Sequence, residues 1–162
     1  MERRVRSRPL HPSDIDTVVQ FVSQSPQWLT YEWGQSKVEH DEWSSYMDEA
    51  VREFGGEWLV WEIDDTCVAV TFHVDEAESN HKPWLGIIIV APLFRGRGVA
   101  RAVVDELCFR KKEQLVLFAA VPISAYEWLD FLGHLQFEQY GVQKDLKERE
   151  FLILTRSLTT NK

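Results

Sequence analysis

The chain has 162 residues, 44% of them apolar, which is enough for one sizeable core and too much for a disordered segment. Its 18 basic and 26 acidic residues leave a net charge of −8, which argues against a general nucleic-acid binder, and its longest apolar runs, such as Leu85 to Val90, are too short to span a bilayer. Two cysteines, Cys67 and Cys108, make neither a disulfide framework nor a zinc knuckle, and no apolar stretch follows the charged start to suggest a secretory signal.

Arg4 to Pro9 reads as a short first strand, its arginines discouraging edge pairing. Ser13 and Asp16 form a capping-box-like pair before a helix whose Ile15, Val18, Val19 and Val22 share one face. Ser25-Pro26 stops it, and Gln27 to Gly34, with Trp28, Tyr31 and Trp33 outside any clear period, reads as a loop. A second helix is predicted over Lys37 to Phe54, with Trp43, Tyr46, Met47, Ala50, Val51 and Phe54 as its buried stripe and Gly55-Gly56 as its end.

The period then changes. Trp58 to Ile63 and Cys67 to Val74 form a hairpin about Asp64-Asp65, and Glu76 to Lys82 is a polar connection. Trp84 to Val90 is a near-continuous apolar run, the mark of a strand covered on both faces. A helix opens at Arg95 and runs to about Arg110, with Val99, Val103 and Leu107 inward. Leu115 to Val121 is a buried strand, Ser124 to Leu135 a helix burying Trp128, Phe131, Leu132 and Leu135, and strands at Phe137 to Gln143 and Phe151 to Leu158 close the chain. The order β-α-α-β-β-β-α-β-α-β-β predicts an α/β (α+β) fold: a mixed, mostly antiparallel twisted sheet of about seven strands with helices on both faces, in one domain over residues 1–162. A cytoplasmic protein, free of metal, membrane and nucleic acid, is the expectation.

Chemistry concentrates in Leu85 to Ala100, where a strand delivers Arg95-Gly-Arg-Gly98 onto a helix start. Glycines let the backbone approach a ligand closely, and the unpaired N–H groups of a first helical turn suit a phosphate. Arg95, Arg97 and Arg101 supply cations beside it; a plain helix entry with surface arginines is the bland alternative. From Lys82 to Lys112 seven bases face two acids, whereas from Trp28 to Glu78 fourteen acids face two bases. A polyanionic cofactor on the basic part and a cationic substrate on the acidic part fit that asymmetry, as does a merely solvated acidic face. There is no Gly-Lys-Ser/Thr, which excludes a nucleoside-triphosphate P-loop, and the third glycine of a dinucleotide fingerprint is missing.

Arg95-Gly-Arg-Gly98-Val-Ala100 resembles the Q/R-x-x-G-x-G/A signature of the GNAT N-acetyltransferase superfamily, as do the preceding Val90-Ala-Pro92 and the order of elements. The resemblance implies acetyl-CoA as co-substrate and direct transfer of its acetyl group to a primary amine of a small molecule or peptide. It also implies a splay between the fourth and fifth strands. Ile88, Ile89 and Val90 would hold the pantetheine arm through their backbones; Arg95, Gly96, Arg97, Gly98, Val99, Ala100 and Arg101 would wrap the pyrophosphate. Trp28, Tyr31, Glu32 and Trp33 would then contribute to the acceptor pocket, packing under a long loop being the alternative.

The glutamate that many such proteins carry as base on the fourth strand is missing, and Glu32, Asp75 or His73 could replace it. A histidine has the right intrinsic pKa, although a lone strand histidine is more often structural. The tyrosine that often protonates the leaving thiolate is replaced by Leu132, which leaves Tyr126, or solvent, for that task. A GNAT-like acyl-CoA-binding or regulatory module without catalysis is the alternative function, and either a monomer or a homodimer is compatible with the sequence.

Overall fold

A computed structural model describes residues 4–110, 116–122, 126–144 and 148–158. Leu115 and Ser124, given above as element starts, lie outside them. Strands β1 (Arg6–Pro9), β2 (Glu57–Ile63), β3 (Thr66–Val74), β4 (Trp84–Val90), β5 (Val116–Pro122), β6 (Glu138–Lys144) and β7 (Glu150–Ser157) form one sheet in the order β1-β2-β3-β4-β5-β7-β6. Every neighbouring pair is antiparallel except β4 and β5. The mixed, mostly antiparallel seven-stranded sheet expected from the sequence is therefore what forms.

Helices α1 (Ile15–Ser23), α2 (Pro26–Trp33) and α3 (His40–Phe54) pack on one face of the sheet. There Ile15, Val18, Val22, Leu29, Trp43 and Met47 meet Trp58, Val60, Val70, Phe72, Ile87 and Ile89. Helices α4 (Val99–Arg110) and α5 (Tyr126–His134) cover the other. There Val103, Val104, Leu107 and Leu132 meet Trp61, Ala69, Leu85, Leu117 and Ala119. Alternate residues of β4 thus enter opposite cores, as a strand apolar on both sides requires. Two of the buried indoles have polar partners: Trp58 donates to the Met47 carbonyl at 3.1 Å and Trp61 to the Thr71 hydroxyl at 2.8 Å.

Four local expectations need correcting. Gln27 to Gly34 is not a loop but most of α2: Pro26 occupies its first turn, where a missing N–H costs nothing, and Gly34 at φ +86° closes it. The capping box before α1 is made by His11 and Asp14, not Ser13 and Asp16, through a short 3-10 turn over Pro12–Asp14. Helix α3 begins at His40 rather than Lys37, with Glu39 and Glu42 closing its box. Helix α4 begins at Val99 rather than Arg95, because Gly96 (φ +73°) and Gly98 (φ +79°) hold the chain out of helical geometry.

Asp14 is also gripped by Arg8, whose guanidinium donates to both carboxylate oxygens at 2.8 and 2.9 Å. That hydrogen bond, with the His11 amide, holds the Asp14 carboxyl below the usual carboxylate range against its partial burial. A lowered folded pKa stabilises the protein above the unfolded value, near 4, and the stabilisation is lost as pH falls through the folded value. Asp14→Asn is therefore expected to cost about 1 kcal/mol at neutral pH, shrinking toward zero in acid. Urea unfolding at pH 7 and below pH 4 checks this, and an equal loss at both would show that the charge is irrelevant.

Candidate active site

The parallel register between β4 and β5 holds for only two pairs, Trp84 with Phe118 and Leu85 with Ala119. Beyond them β4 stays on β3 up to Val90, while β5 stays on β7 up to Pro122. The two strands part, and a cleft of about 1490 Å³ opens between them. A bulge marks the parting: Phe72 opposes Ile87 and His73 opposes Leu85, leaving Gly86 as the extra residue. A side chain at Gly86 would sit 3.0 Å from the Phe72 ring and 3.3 Å from its carbonyl oxygen, so glycine lets the bulge press against the cleft floor.

At one end of the cleft lie Ile88, Ile89 and Val90, then Phe94 to Gly96 and Gly98 to Arg101. Phe94 and Arg95 donate their amides back to Ala91 and Pro92, and the α4 ladder starts with Ala102 donating to Gly98 at 3.1 Å. Between them, the described backbone hydrogen bonds outside helices use none of the amides of Gly96, Arg97 and Gly98. Those of Val99 to Arg101 belong to the first helical turn, which has no carbonyl to offer them. A Cβ at Gly96 or Gly98 would meet nothing within 4 Å. The loop is thus an open ring of donors at a helix N-terminus, a geometry suited to a phosphate.

The arginines around it differ in posture. Arg97 lies over the Phe94 ring at 5.7 Å, and Arg101 donates to the His134 carbonyl from α4 to the end of α5. Arg95 stays exposed but bridges the wall, its Nε donating to the Val90 carbonyl at 3.4 Å and its Nη2 to the Ser25 hydroxyl.

The other end of the cleft carries the opposite chemistry. Tyr46, Ala50, Glu53 and Phe54 of α3, Phe72 and Val74 of β3, Glu78 of the β3–β4 connection and Trp84 line it. Glu53 and Glu78 are exposed, and all the basic residues of the described lining, Arg95, Arg101 and His134, belong to the donor ring's end. Phe54, expected in the α3 core stripe, is 57% exposed and Val51 41%: the outer edge of the stripe faces the cleft and solvent instead. Phe131 and Trp128 of α5, also expected inward, line the cleft as well.

His73 is not in the described lining of the cleft. Strand alternation turns it away from Phe72 and Val74, and its Nε2 lies 3.1 Å from Asp75 and 3.8 Å from Glu57. His73 thus flanks the bulge, opposite Leu85, with its side chain paired outside the described lining of the cleft. Trp33, half-buried, packs edge-on against Tyr46 at 5.4 Å and stands behind the wall rather than in it. The side chains of Trp28, Tyr31, Glu32 and Tyr126 lie outside the described ones. Leu132 lines the cleft, where a thiolate-protonating tyrosine was sought. Neither cysteine lines it; burial pushes Cys67 up to about 11 and also raises Cys108, which keeps both thiols protonated. Among the described residues no group of His, Cys, Asp and Glu could hold a metal ion, and no helix is long and apolar enough to cross a membrane.

Comparison with known proteins meets this geometry from outside. The sequence profile of the Acetyltransferase (GNAT) family matches residues 21–131. An uncharacterized protein of Bacillus subtilis (strain 168), YkzC, is 36% identical over 134 residues, covering 82% of this chain and 90% of that one. Among solved structures, an acetyltransferase from Thermus thermophilus superposes with a TM-score of 0.75 at 14% identity, over 95% of this chain and 97% of that one. Spermidine N-acetyltransferase from Vibrio cholerae, in complex with CoA and spermine, gives 0.71 at 12% identity over 96% of both chains. The Salmonella typhimurium putative acetyltransferase yncA, with acetyl-CoA, gives 0.62 at 13% identity over 97% and 95%.

Proposed function

The chain belongs to the acetyltransferase (GNAT) family and is an acyltransferase; from that premise we propose that it acetylates the primary amine of a cationic small molecule or peptide, with acetyl-CoA as donor. The observation that carries this reading is the division of one cleft into an amide ring with arginines at one end and an aromatic wall with two carboxylates at the other. Residues 1–162 would act as a single domain.

The residues present fit the cofactor. The open ring at Gly96 to Arg101 has room and donors for a diphosphate, and the parting of β4 from β5 leaves Ile88 to Val90 lining the path from it. Acetyl-CoA, when bound, supplies a thioester carbonyl that an amine can attack. The chain's task is to hold the two reactants in register, which can account for much of the acceleration. A backbone N–H near Val90 would polarise the carbonyl. Glu53 and Glu78 would draw the acceptor as its ammonium, Tyr46, Phe54, Phe72 and Trp84 would shelter its carbon skeleton, and a carboxylate or water would take the proton before attack.

Thiol release measured over a panel of amines, beside calorimetric titration of coenzyme A, tests the proposal. Release with cationic amines, and little with neutral or anionic ones, is expected. Coenzyme A binding with no release across the panel would remove the amine-transfer reading and leave a binding module. The double variant Glu53→Gln/Glu78→Gln is expected to raise KM for cationic amines about tenfold at low salt, each exposed charge pair contributing ~0.5–1 kcal/mol. KM should change little for a neutral amine, and an equal rise for both would exclude charge recognition.

A further inference from the structure

Arg95 stands immediately before the donor ring, its amide already given to Pro92 and its side chain committed elsewhere. Nε donates to the carbonyl of Val90, the last residue of β4, and Nη2 to the hydroxyl of Ser25 across 70 residues of sequence. Ser25 is the N-cap of α2, and a serine there ordinarily turns its oxygen onto its own helix. Here its side chain makes no capping hydrogen bond. The oxygen accepts from Arg95 instead.

The remaining ties of this corner are backbone ones. Ser25 donates its amide to Val22 at 3.0 Å, and its carbonyl accepts from Leu29 at 3.0 Å. Leu29 is fully buried in the core beneath α2, and Val22, Ser25, Pro26 and Gln27 all line the cleft. The Arg95 guanidinium therefore joins the donor ring, the end of β4 and the α1–α2 corner, three pieces of wall that no covalent path of fewer than five residues connects to one another.

We infer that Arg95 is a positioning residue, a strut through Ser25 by which occupancy of the donor ring stiffens α2, whose Trp33 backs Tyr46 at the acceptor end of the cleft. Its coupling role rests on the coenzyme reading of the ring proposed above. A diphosphate on the ring amides fixes the Arg95 backbone, a fixed backbone holds the guanidinium, and the guanidinium holds Ser25. By linkage, an acceptor that favours the ordered α2 then strengthens coenzyme binding by the same factor. The sequence motif implied a phosphate contact for Arg95; the geometry assigns its side chain to the opposite wall.

Hydrogen exchange at the α2 amides of Leu29 and Gly34 tests this, with coenzyme A as the probe. Without ligand, Arg95→Ala and Ser25→Ala should each speed exchange, and the double variant should do so no more than either alone, since both break one contact. With saturating coenzyme A, the wild type should slow about tenfold at these amides and Ser25→Ala should not, while Ser25→Thr, which keeps the hydroxyl, should recover the effect. Additive single effects, or full protection by coenzyme A in Ser25→Ala, would overturn the strut. So would an Arg95→Ala variant that lost coenzyme affinity while Ser25→Ala behaved as wild type, marking Arg95 as a direct phosphate ligand. Failure of the wild type to bind coenzyme A would instead remove the function proposed for the ring, and the ligand-free cycle would still decide whether the strut exists.

Discussion

Gly98→Val is expected to weaken coenzyme A binding at least a hundredfold while leaving the fold in place. Gly98 sits at φ +79°, where an L side chain is strained by roughly 1–2 kcal/mol, and a β-branched one by more. A new Cβ there would meet no protein atom within 4 Å, so the space it fills is the space of the ring itself. Strain and obstruction therefore separate experimentally. Strain lowers Tm by several degrees, on the scale of a few degrees per kcal/mol for a chain of this size, and obstruction abolishes the calorimetric signal. Gly34→Val, at φ +86°, pays similar strain away from the ring and serves as the control. If both variants lost only stability and both bound coenzyme A as the wild type does, the amides near Gly98 would not be the diphosphate site.

The glycine loop at that end of the cleft was legible in the sequence, because its shape is made by backbone. Two glycines after an apolar strand and before a helix dictate an open turn whatever surrounds them, so Arg95 to Ala100 could be marked without knowing the fold. The end proposed for the acceptor was not legible, because its side chains come from α3, β3, the β3–β4 connection and β4. Helical period put Phe54 in the buried stripe of α3, where it is in fact exposed, because period cannot tell a core from a cleft. Glu53 and Glu78 could be marked only as two of fourteen acids in a stretch that suits either a cationic substrate or a solvated face, since composition does not say which acids meet a cleft. Alternation along β3 correctly set His73 opposite Phe72 and Val74; which face of the sheet carries the cleft is a matter of how β4 and β5 part, and no residue of β3 encodes that. Helix α2 was missed because Ser25-Pro26 was read only as a stop, whereas proline at a first turn is also a start.

A second large effect concerns the floor of the cleft. Gly56, between α3 and β2, is expected to tolerate no side chain: a Cβ there would lie 2.5 Å from the His73 carbonyl oxygen and 2.5 Å from the Phe72 ring. Phe72 cannot swing away freely, since Gly86 abuts its ring on β4 and Trp58 packs against it at 4.9 Å. The backbone of β3 has no more freedom, being paired on both sides, with Trp58 opposite Phe72 on β2 and Ile87 on β4. Gly56→Ala is therefore predicted to destabilise by about 2–3 kcal/mol, the upper part of the range for overpacking, and to raise KM for the amine because Phe72 lines the acceptor end. Gly133→Ala is the counterpart: α5 is helical there, nothing lies within 4 Å of the added methyl, and its φ is not positive, so stability should hold or rise by up to about 1 kcal/mol. Chemical unfolding of the two variants, with initial-rate kinetics on Gly56→Ala at a temperature where it remains folded, measures both claims. A Gly56→Ala protein as stable as the wild type would mean that β2 and β3 can separate locally, and the acceptor wall would then have to be regarded as adjustable rather than fixed by the sheet.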